Sequence, residues 1–366
     1  MNVVFDHQIF FNQQFGGISR YYFELATGLA SMDAFDVSVV APFHINEYLQ
    51  HDTNFIVKGF YFNQKFYGSG HLTNWGRSLL LPVEYALFGC ADIIHETYYS
   101  PVPVGRGKTR VVTVYDMIHE LYSSKFKIFD NGIETKRKSI LNADHIICIS
   151  MTTKKDLMKI YNIKDELISV TYLGTSLNNH NFVPLIFDNF HKPYILYIGN
   201  RRYYKNFNIL LNAFNMLNLK KDFDLVCFGG GRFLKEEMLE FKNLKLESSI
   251  RHIEGHDELL RTYYKNASIF VYPSFYEGFG LPILEAMGND CAVIASNAGS
   301  IPEIAGSAAM FFSPDKVDEL CYCLKQIISN NNIREEYIKR GKERIKLFSW
   351  DKTAQETYEV YKKVLS

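Results

Sequence analysis

Short apolar runs with strand character alternate with longer amphipathic stretches along the whole chain, and this alternation narrows the fold more than any other feature. In the first half the runs are NVVFDH, FDVSVVAP, ADIIHE, RVVTVYDM, HIICIS and LISVTYL, with helical spacing between several of them, as at Ser19–Ser31 and Asn131–Ala143. Strands that stay apolar along their length, separated by helices, belong to a parallel sheet covered on both faces. A polar stretch without period, TSLNNHNFVPLIFDNFHKP, then interrupts the series, and the linker between two domains is expected at residues 177–192. A second series follows: PYILYIGN, FDLVCFGGG, IRHIEG, SIFVYPS and CAVIAS, alternating with helical patterns at Phe207–Leu217, Phe233–Lys242, Asp257–Lys265 and Pro282–Gly288. The expected fold class is α/β, with two Rossmann-like doubly wound domains facing one another across a cleft. The domains are expected at residues 1–176 and 193–349, with a helix at about 350–366 packing back on the first. A length of 366 residues, too great for one typical core, agrees with that division.

Composition removes several function classes. The formal net charge is zero, so neither nucleic acid nor an anionic membrane is called for as the main partner. Hydrophobic residues at 47% and charged residues at 22% are ordinary for a globular chain. The start, MNVVFDHQIFF, lacks the basic and long apolar regions of a signal peptide. No apolar run reaches the roughly 18 residues that span a bilayer. The six cysteines, at 90, 148, 227, 291, 321 and 323, include no C-x-x-C pair and mostly sit inside apolar runs. They read as small buried hydrophobes in a reducing compartment, so a cytoplasmic location is expected. Zinc-ligand spacing, a nucleophile elbow and a G-x-x-x-x-G-K-[ST] phosphate loop are all missing.

Ligands of doubly wound sheets bind beyond the carboxyl ends of the strands, so the residues just after strands are the functional candidates. The strongest such segment is Tyr276-Glu277-Gly278-Phe279-Gly280-Leu281-Pro282-Ile283-Leu284-Glu285-Ala286-Met287, which follows SIFVYPS and leads into a helix. Its glycines admit a ligand close to backbone N–H groups, and the helix N-terminus favours an anion or an oxygen with partial negative charge. Seven residues separate Glu277, in the loop, from Glu285, about one turn inside the helix. One carboxylate can then reach ribose hydroxyls while the other lies near a sugar ring. A second candidate is Gly199-Asn200-Arg201-Arg202-Tyr203-Tyr204-Lys205-Asn206, placed after the first strand of the second series. Cations in such a loop suit phosphoryl oxygens, Arg as a planar fork and Lys as a point charge. The Gly229-Gly230-Gly231 run, with Gly230 at its centre, fits close backbone approach to a nucleotide or a tight turn.

These motifs resemble the E-x7-E signature and flanking segments of the retaining glycosyltransferases of family 4, which have the GT-B fold. The likeness extends over nearly the whole chain and takes in the Gly16-Gly17-Ile18 turn, ILYIGNRRYYKN, EGFGLPILEAM, SIPEIAG and the closing FSW-initiated helix. The resemblance implies a nucleotide-sugar donor held by the second domain, with Arg201 and Lys205 on the diphosphate and Arg202 competing with Arg201. It implies catalytic weight for Glu277, Arg201, Lys205 and Asp116. Donor contacts are expected from Gly16, Gly17, Gly199, Gly230, His252, Ile253, Phe279, Gly280, Leu281 and Glu285. Glu277 would orient sugar hydroxyls, Glu285 the ribose, and backbone groups from His252 to Glu254 the base. Many relatives carry a His where this chain has Tyr115, which leaves the sugar-contacting role open between Tyr115, Asp116 and His119. His95 and Glu96 are candidates for the acceptor side, with Tyr115 and His119. Ser150 reads most simply as a helix N-cap and Glu303 as a helix-capping residue.

No D-x-D lies in the loop context of a metal-dependent enzyme of the other glycosyltransferase fold, so no metal or cofactor is expected, and cations with backbone dipoles would stabilise the leaving diphosphate. The implied reaction moves a hexose, from GDP-mannose first or a UDP-hexose second, to a glycan or lipid-linked glycan in bacterial surface polysaccharide synthesis. Peripheral contact with the cytoplasmic face of the inner membrane would follow. Lys136, Arg137, Lys138, Lys154 and Lys155, with the aromatic stretch FYFNQKFYG, are the candidate contact surface, though they read more simply as a solvated helix face and an ordinary loop. The alternatives are a GT-B phosphorylase, a nucleotide-sugar epimerase or a non-catalytic sugar-binding module.

Overall fold

A computed structural model describes residues 1–62, 91–125, 131–175, 192–201 and 203–366. Arg202, Cys90, most of the expected linker and the end of FYFNQKFYG lie outside these. The chain divides into two compact units, one of Met1–Gly174 with Trp350–Ser366 and the other of Thr175–Ser349.

The first unit holds strands β1 (Asn2–Phe5), β2 (Asp36–His44), β3 (Ile56–Tyr61), β4 (Ala91–Glu96), β5 (Gly107–Val114), β6 (His145–Cys148) and β7 (Ile168–Val170). They form one sheet in the order β3-β2-β1-β4-β5-β6-β7, with every neighbouring pair parallel. Order reverses between β1 and β4. Helix Gly17–Ala30 buries Tyr21, Tyr22, Leu25, Ala26 and Leu29, a stripe at helical spacing.

Helix Trp350–Leu365 completes this unit. It buries Trp350, Thr353, Ala354, Thr357, Val360 and Tyr361, and the Thr353 hydroxyl donates to the Tyr172 carbonyl at 2.7 Å. A Cβ on Gly28 would stand 2.6 Å from that of Ala354, so glycine is what lets the two helices approach. The last helix also brings Tyr361 Oη to 2.7 Å from His95 Nδ1, while His95 Nε2 lies 2.8 Å from Thr113 Oγ1.

The second unit holds β8 (Tyr194–Ile198), β9 (Asp224–Phe228), β10 (Ile250–Ile253), β11 (Ile269–Tyr272), β12 (Val293–Ser296) and β13 (Ala309–Phe312). Their order is β10-β9-β8-β11-β12-β13, again parallel throughout. The reversal falls between β8 and β11. Leu210, Leu211 and Phe214 of helix Phe207–Met216 meet Val271, Ile294, Leu320 and Leu324 in a buried apolar cluster.

Both sheets are the parallel, Rossmann-like kind that uninterrupted apolar runs require. Strands β3 and β13 fall outside the runs read from the sequence. β3 is an edge strand whose run is broken by Lys58 and Gly59, and its residues are mostly half-buried or exposed. The helix expected from Phe233 starts at Lys235, because Phe233 turns inward to pack 5.0 Å from the Phe241 ring. Among the described residues, no helix is long and apolar enough to cross a membrane.

His95 is fully buried, and burial lowers its pKa from 6.5 to about 3. A folded value below the unfolded one means that unfolding takes up a proton. The stability His95 supports is therefore complete above about pH 6.5 and is lost as pH falls towards 3. Its neighbour Glu96 acts in the opposite sense, because burial raises its pKa from 4.5 to about 7 while Arg110 pulls it down. Thermal melts should accordingly show His95→Gln losing less melting temperature than the parent between pH 6.5 and 5. Equal losses would mean that the ring titrates alike in the folded and unfolded chain.

Candidate functional site

The reversal between β8 and β11 sets two loops side by side, residues 199–206 and 273–280. Gly199 ends β8 with φ of +101°, a conformation that costs a glycine little. Asn206 closes the first loop, its side-chain amide donating to the carbonyls of Pro273 at 3.1 Å and Pro314 at 2.7 Å. The Phe275 amide donates to the Tyr204 carbonyl at 2.7 Å, and the Tyr203 ring stacks on Phe275 with centroids 5.6 Å apart.

This stitching carries Lys205 to Glu277. Nζ stands 2.7 Å from Oε1, with the two side chains 15% and 11% exposed. The ammonium also lies 3.4 Å from the Tyr272 hydroxyl, and 5.4 and 5.3 Å from the ring centroids of Tyr204 and Tyr272. Burial, with Glu277 adding to it, pushes the Tyr272 phenol well above its ordinary pKa, so it stays protonated.

The loop after β12 grips the same segment from behind. Ser300 Oγ donates to the carbonyls of Glu277 at 2.9 Å and Phe279 at 2.8 Å. Gly299 has φ of +57°, and a Cβ there would come within 2.8 Å of the Glu277 amide nitrogen. Phe279 is buried, edge-on to Phe348 at 6.0 Å. Gly280, at φ +112°, turns the chain into helix Leu281–Gly288, which places Leu281 and Pro282 in its first turn. On that helix Glu285 Oε2 accepts from the Tyr264 hydroxyl at 3.0 Å, and the same hydroxyl lies 3.2 Å from the Pro282 carbonyl.

Beside β8, the loop after β9 is a run of left-handed glycines, Gly229, Gly230 and Gly231, with φ of +69°, +73° and +77°. Gly230 abuts the Gly199 carbonyl. The loop after β10 joins them: the Gly229 amide donates to the Ile253 carbonyl at 2.8 Å, and His252 Nε2 lies 3.1 Å from the Gly229 carbonyl. Arg201 is nearly enclosed here. Its Nε donates to Glu237 Oε1 at 2.6 Å, and its Nη2 donates to the Gly231 carbonyl at 2.9 Å. Arg201 and Lys205 are therefore each paired with a carboxylate, and the set Arg201, Lys205, Glu237 and Glu277 is neutral. Such a set, bordered by glycine turns, suits an anionic ligand that also carries hydroxyls.

The first unit places its candidates differently. Gly16 and Gly17 open helix Gly17–Ala30, where Gln13 Oε1 already accepts from the Ser19 amide at 3.2 Å. Tyr115 is buried, its hydroxyl 3.5 Å from the Thr97 carbonyl. Asp116 accepts from the Ile118 amide at 3.0 Å, and His119 is exposed on the short helix Ile118–Leu121. Glu96 is buried in a 2.6 Å pair with Arg110. Ser150 accepts from the Thr153 amide as an N-cap, and Glu303 sits in the first turn of helix Ile301–Ala305. Of the basic residues, Lys136 is buried against Glu120 at 3.0 Å, Lys154 pairs with Asp165 at 2.8 Å, and Arg137 and Lys138 flank Glu134 on an exposed face.

Sequence reading missed Tyr264, Tyr272, Glu237 and Gly299, and gave no role of their own to Asn206 and Ser300, which lie in the quoted segments Gly199–Asn206 and SIPEIAG. The one local signal was Tyr272, a phenol closing an otherwise apolar strand. Among the described residues, no group of three or more His, Cys, Asp or Glu is arranged to hold a metal ion.

Two family sequence models match the chain, one described as Glycosyltransferase Family 4 over residues 15–179 and one as Glycosyl transferases group 1 over residues 187–344. O-antigen chain mannosyltransferase B of Escherichia coli is 31% identical over 240 residues, 62% of this chain and 62% of that protein. O-antigen chain mannosyltransferase RfbU of Salmonella typhimurium is 27% identical over 231 residues, again 62% of each. The chain thus spans only about three fifths of the length of these relatives. Sucrose-phosphate synthase from Thermosynechococcus elongatus shares the fold, with a TM-score of 0.78 over 99% of this chain and 98% of that one at 17% identity.

The glycine geometry separates two effects. A Cβ on Gly230 would meet the Gly199 carbonyl oxygen at 2.2 Å, whereas one on Gly231 meets nothing within 4 Å. Gly231→Ala should cost only backbone strain, about 1 kcal/mol, and Gly230→Ala about 2–4 kcal/mol. Chemical denaturation of the two variants checks the ranking; equal losses would mean that the β8 and β9 loops are not in contact.

Proposed function

Because the chain belongs to the GT-B glycosyltransferases of family 4, we propose that it moves a hexose from a nucleoside diphosphate sugar to a glycan or lipid-linked glycan, with retention of anomeric configuration. GDP-mannose is the first choice of donor and a UDP-hexose the second. The O-antigen mannosyltransferases among its relatives support that order and support a place in bacterial surface polysaccharide synthesis. The observation that carries the reading is the 2.7 Å pairing of Lys205 with Glu277 at the strand-order reversal of the second sheet.

The chemistry follows from what each group can do. Breaking the bond between the anomeric carbon and the phosphate oxygen leaves an extra negative charge on the diphosphate. Lys205 meets that charge, helped by the Nη1 edge of Arg201 and by amides at the start of helix Leu281–Gly288. When the diphosphate takes Lys205, Glu277 gives up its ammonium partner and accepts from the sugar hydroxyls instead. Glu285, steadied by Tyr264, is assigned to the ribose, and the backbone from His252 to Glu254 to the base. The acceptor hydroxyl attacks on the face the phosphate leaves, and its proton passes to a departing phosphoryl oxygen, so configuration is kept. Asp116 is assigned to the sugar and the first unit to the acceptor. No step calls for a metal ion. Peripheral attachment to the inner membrane follows only if the acceptor is lipid-linked.

A thermal-shift screen of GDP, UDP and ADP and their hexose conjugates, with and without EDTA, tests this reading. A ligand at about 100 times its Kd adds roughly 2.7 kcal/mol of stability, and that gain should survive the chelator. Lys205→Ala should lose at least about tenfold in diphosphate affinity. Glu277→Gln should bind the free diphosphate more tightly, because Lys205 is released, yet turn over about 100-fold more slowly. Proton NMR of the first-formed product reads the anomeric configuration. A chain that none of these nucleotides stabilises is not a nucleotide-sugar enzyme.

A further inference from the structure

Glu237 has no motif to announce it. It lies in the first turn of helix Lys235–Asn243, within the string KEEMLEF. Its carboxylate nevertheless holds Arg201, to which the proposed function gives a diphosphate role. Arg201 Nε donates to Oε1 at 2.6 Å and Nη2 to Oε2 at 3.3 Å, a bidentate fork. Oε2 also accepts from the Leu234 amide at 2.7 Å, which closes the helix N-terminus. The same Nη2 donates to the carbonyls of Gly231 at 2.9 Å and Arg232 at 3.2 Å. The guanidinium carbon lies 4.9 Å from the Phe233 ring centroid, and the arginine side chain is only 4% exposed.

One carboxylate thus ties the loop after β8 to the loop after β9 and fixes the plane of the guanidinium. The Nε and Nη2 edge is spent on protein acceptors. Nη1 makes only a long contact, 3.5 Å to the Gly229 carbonyl, so Nη1 is the edge left for a phosphoryl oxygen. We infer that Glu237 is a positioning residue for donor binding: it aims the Nη1 edge of Arg201 and holds the Gly229–Gly231 turn in its left-handed form. The inference rests on the donor-site reading above. Because Glu237 touches Arg201 and not the reacting atoms, its loss should weaken capture of the diphosphate and spare the bond-breaking step.

The test uses the full chain and the slow release of nucleoside diphosphate from GDP-mannose into water, with UDP-glucose as a second arm. Glu237→Gln should raise donor KM about tenfold and leave kcat within about threefold. The Kd of free GDP or UDP should rise by the same factor. Glu237→Asp, which keeps the charge, should recover part of that loss. Glu236→Gln, on the exposed side of the same turn, serves as the control and should leave KM unchanged. An unchanged KM in Glu237→Gln, whatever the melting temperature does, overturns the inference, and so does a fall in kcat at constant KM. Failure of the parent protein to bind any nucleoside diphosphate would instead overturn the donor-site reading.

Discussion

An ammonium 2.7 Å from a carboxylate, both largely withdrawn from water, is costly to assemble unless something fixes the geometry. In the second unit the fixing agent is strand order. Because the sheet reverses between β8 and β11, the loops leaving those two strands are neighbours. The polar contacts of Asn206, the Phe275 amide and Ser300 then hold the backbones that carry Lys205 and Glu277 side by side. The aromatic walls of Tyr204 and Tyr272 lower the effective dielectric around the ammonium and strengthen the pair. The glycines are consequences of the same crowding. Gly230 passes where a Cβ would collide with the Gly199 carbonyl, and Gly299 backs onto the Glu277 backbone.

Neutralising each cation with a carboxylate solves one problem and creates another. An unpaired lysine and arginine at a sheet end would repel one another and destabilise the fold. With Glu237 and Glu277 in place the set is neutral, and an incoming anion meets competition rather than an open field. The two pairs differ in how they can yield. Glu237 is held by the Leu234 amide as well as by Arg201, so it belongs to the scaffold. Glu277 is anchored through its backbone carbonyl, which leaves its carboxylate to change partners. On the proposed function, a hydroxyl-bearing ligand would offer Glu277 new donors as its diphosphate claimed Lys205, and a bare anion would not. The arrangement therefore favours a ligand that carries both groups.

The sequence exposes what depends on local pattern. Apolar alternation is a property of short windows, so both sheets were legible, except for β3, where Lys58 and Gly59 break the run at an exposed edge, and β13, a four-residue strand at the edge of the second sheet. The glycine and carboxylate spacing from Tyr276 to Met287 was legible because a strand, a tight turn and a helix start must be contiguous. Tyr264, Glu237 and Ser300 were not, because each matters through a partner 21 to 36 positions away. Nothing within KEEMLEF distinguishes Glu237 from Glu236; only the arrival of Arg201 does.

Residues with the same strand-end address in the two units have different surroundings. His95 and Glu96 stand at the end of β4 as squarely as Gly199 stands after β8. The fold then brings Tyr361 to His95 across 266 positions and Arg110 to Glu96 across 14. The partners of His95 are two hydroxyls, set among the rings of Phe5 and Tyr22. A ligand could replace them only by opening the core. Lys205 meets Glu277 across 72 positions, but the two meet in loops, and the partner is a charge that another anion can displace. What separates the two sets is the exchangeability of their partners. Ion pairs held in loops at a sheet end are exchangeable; hydroxyl pairs sealed beneath a helix are not.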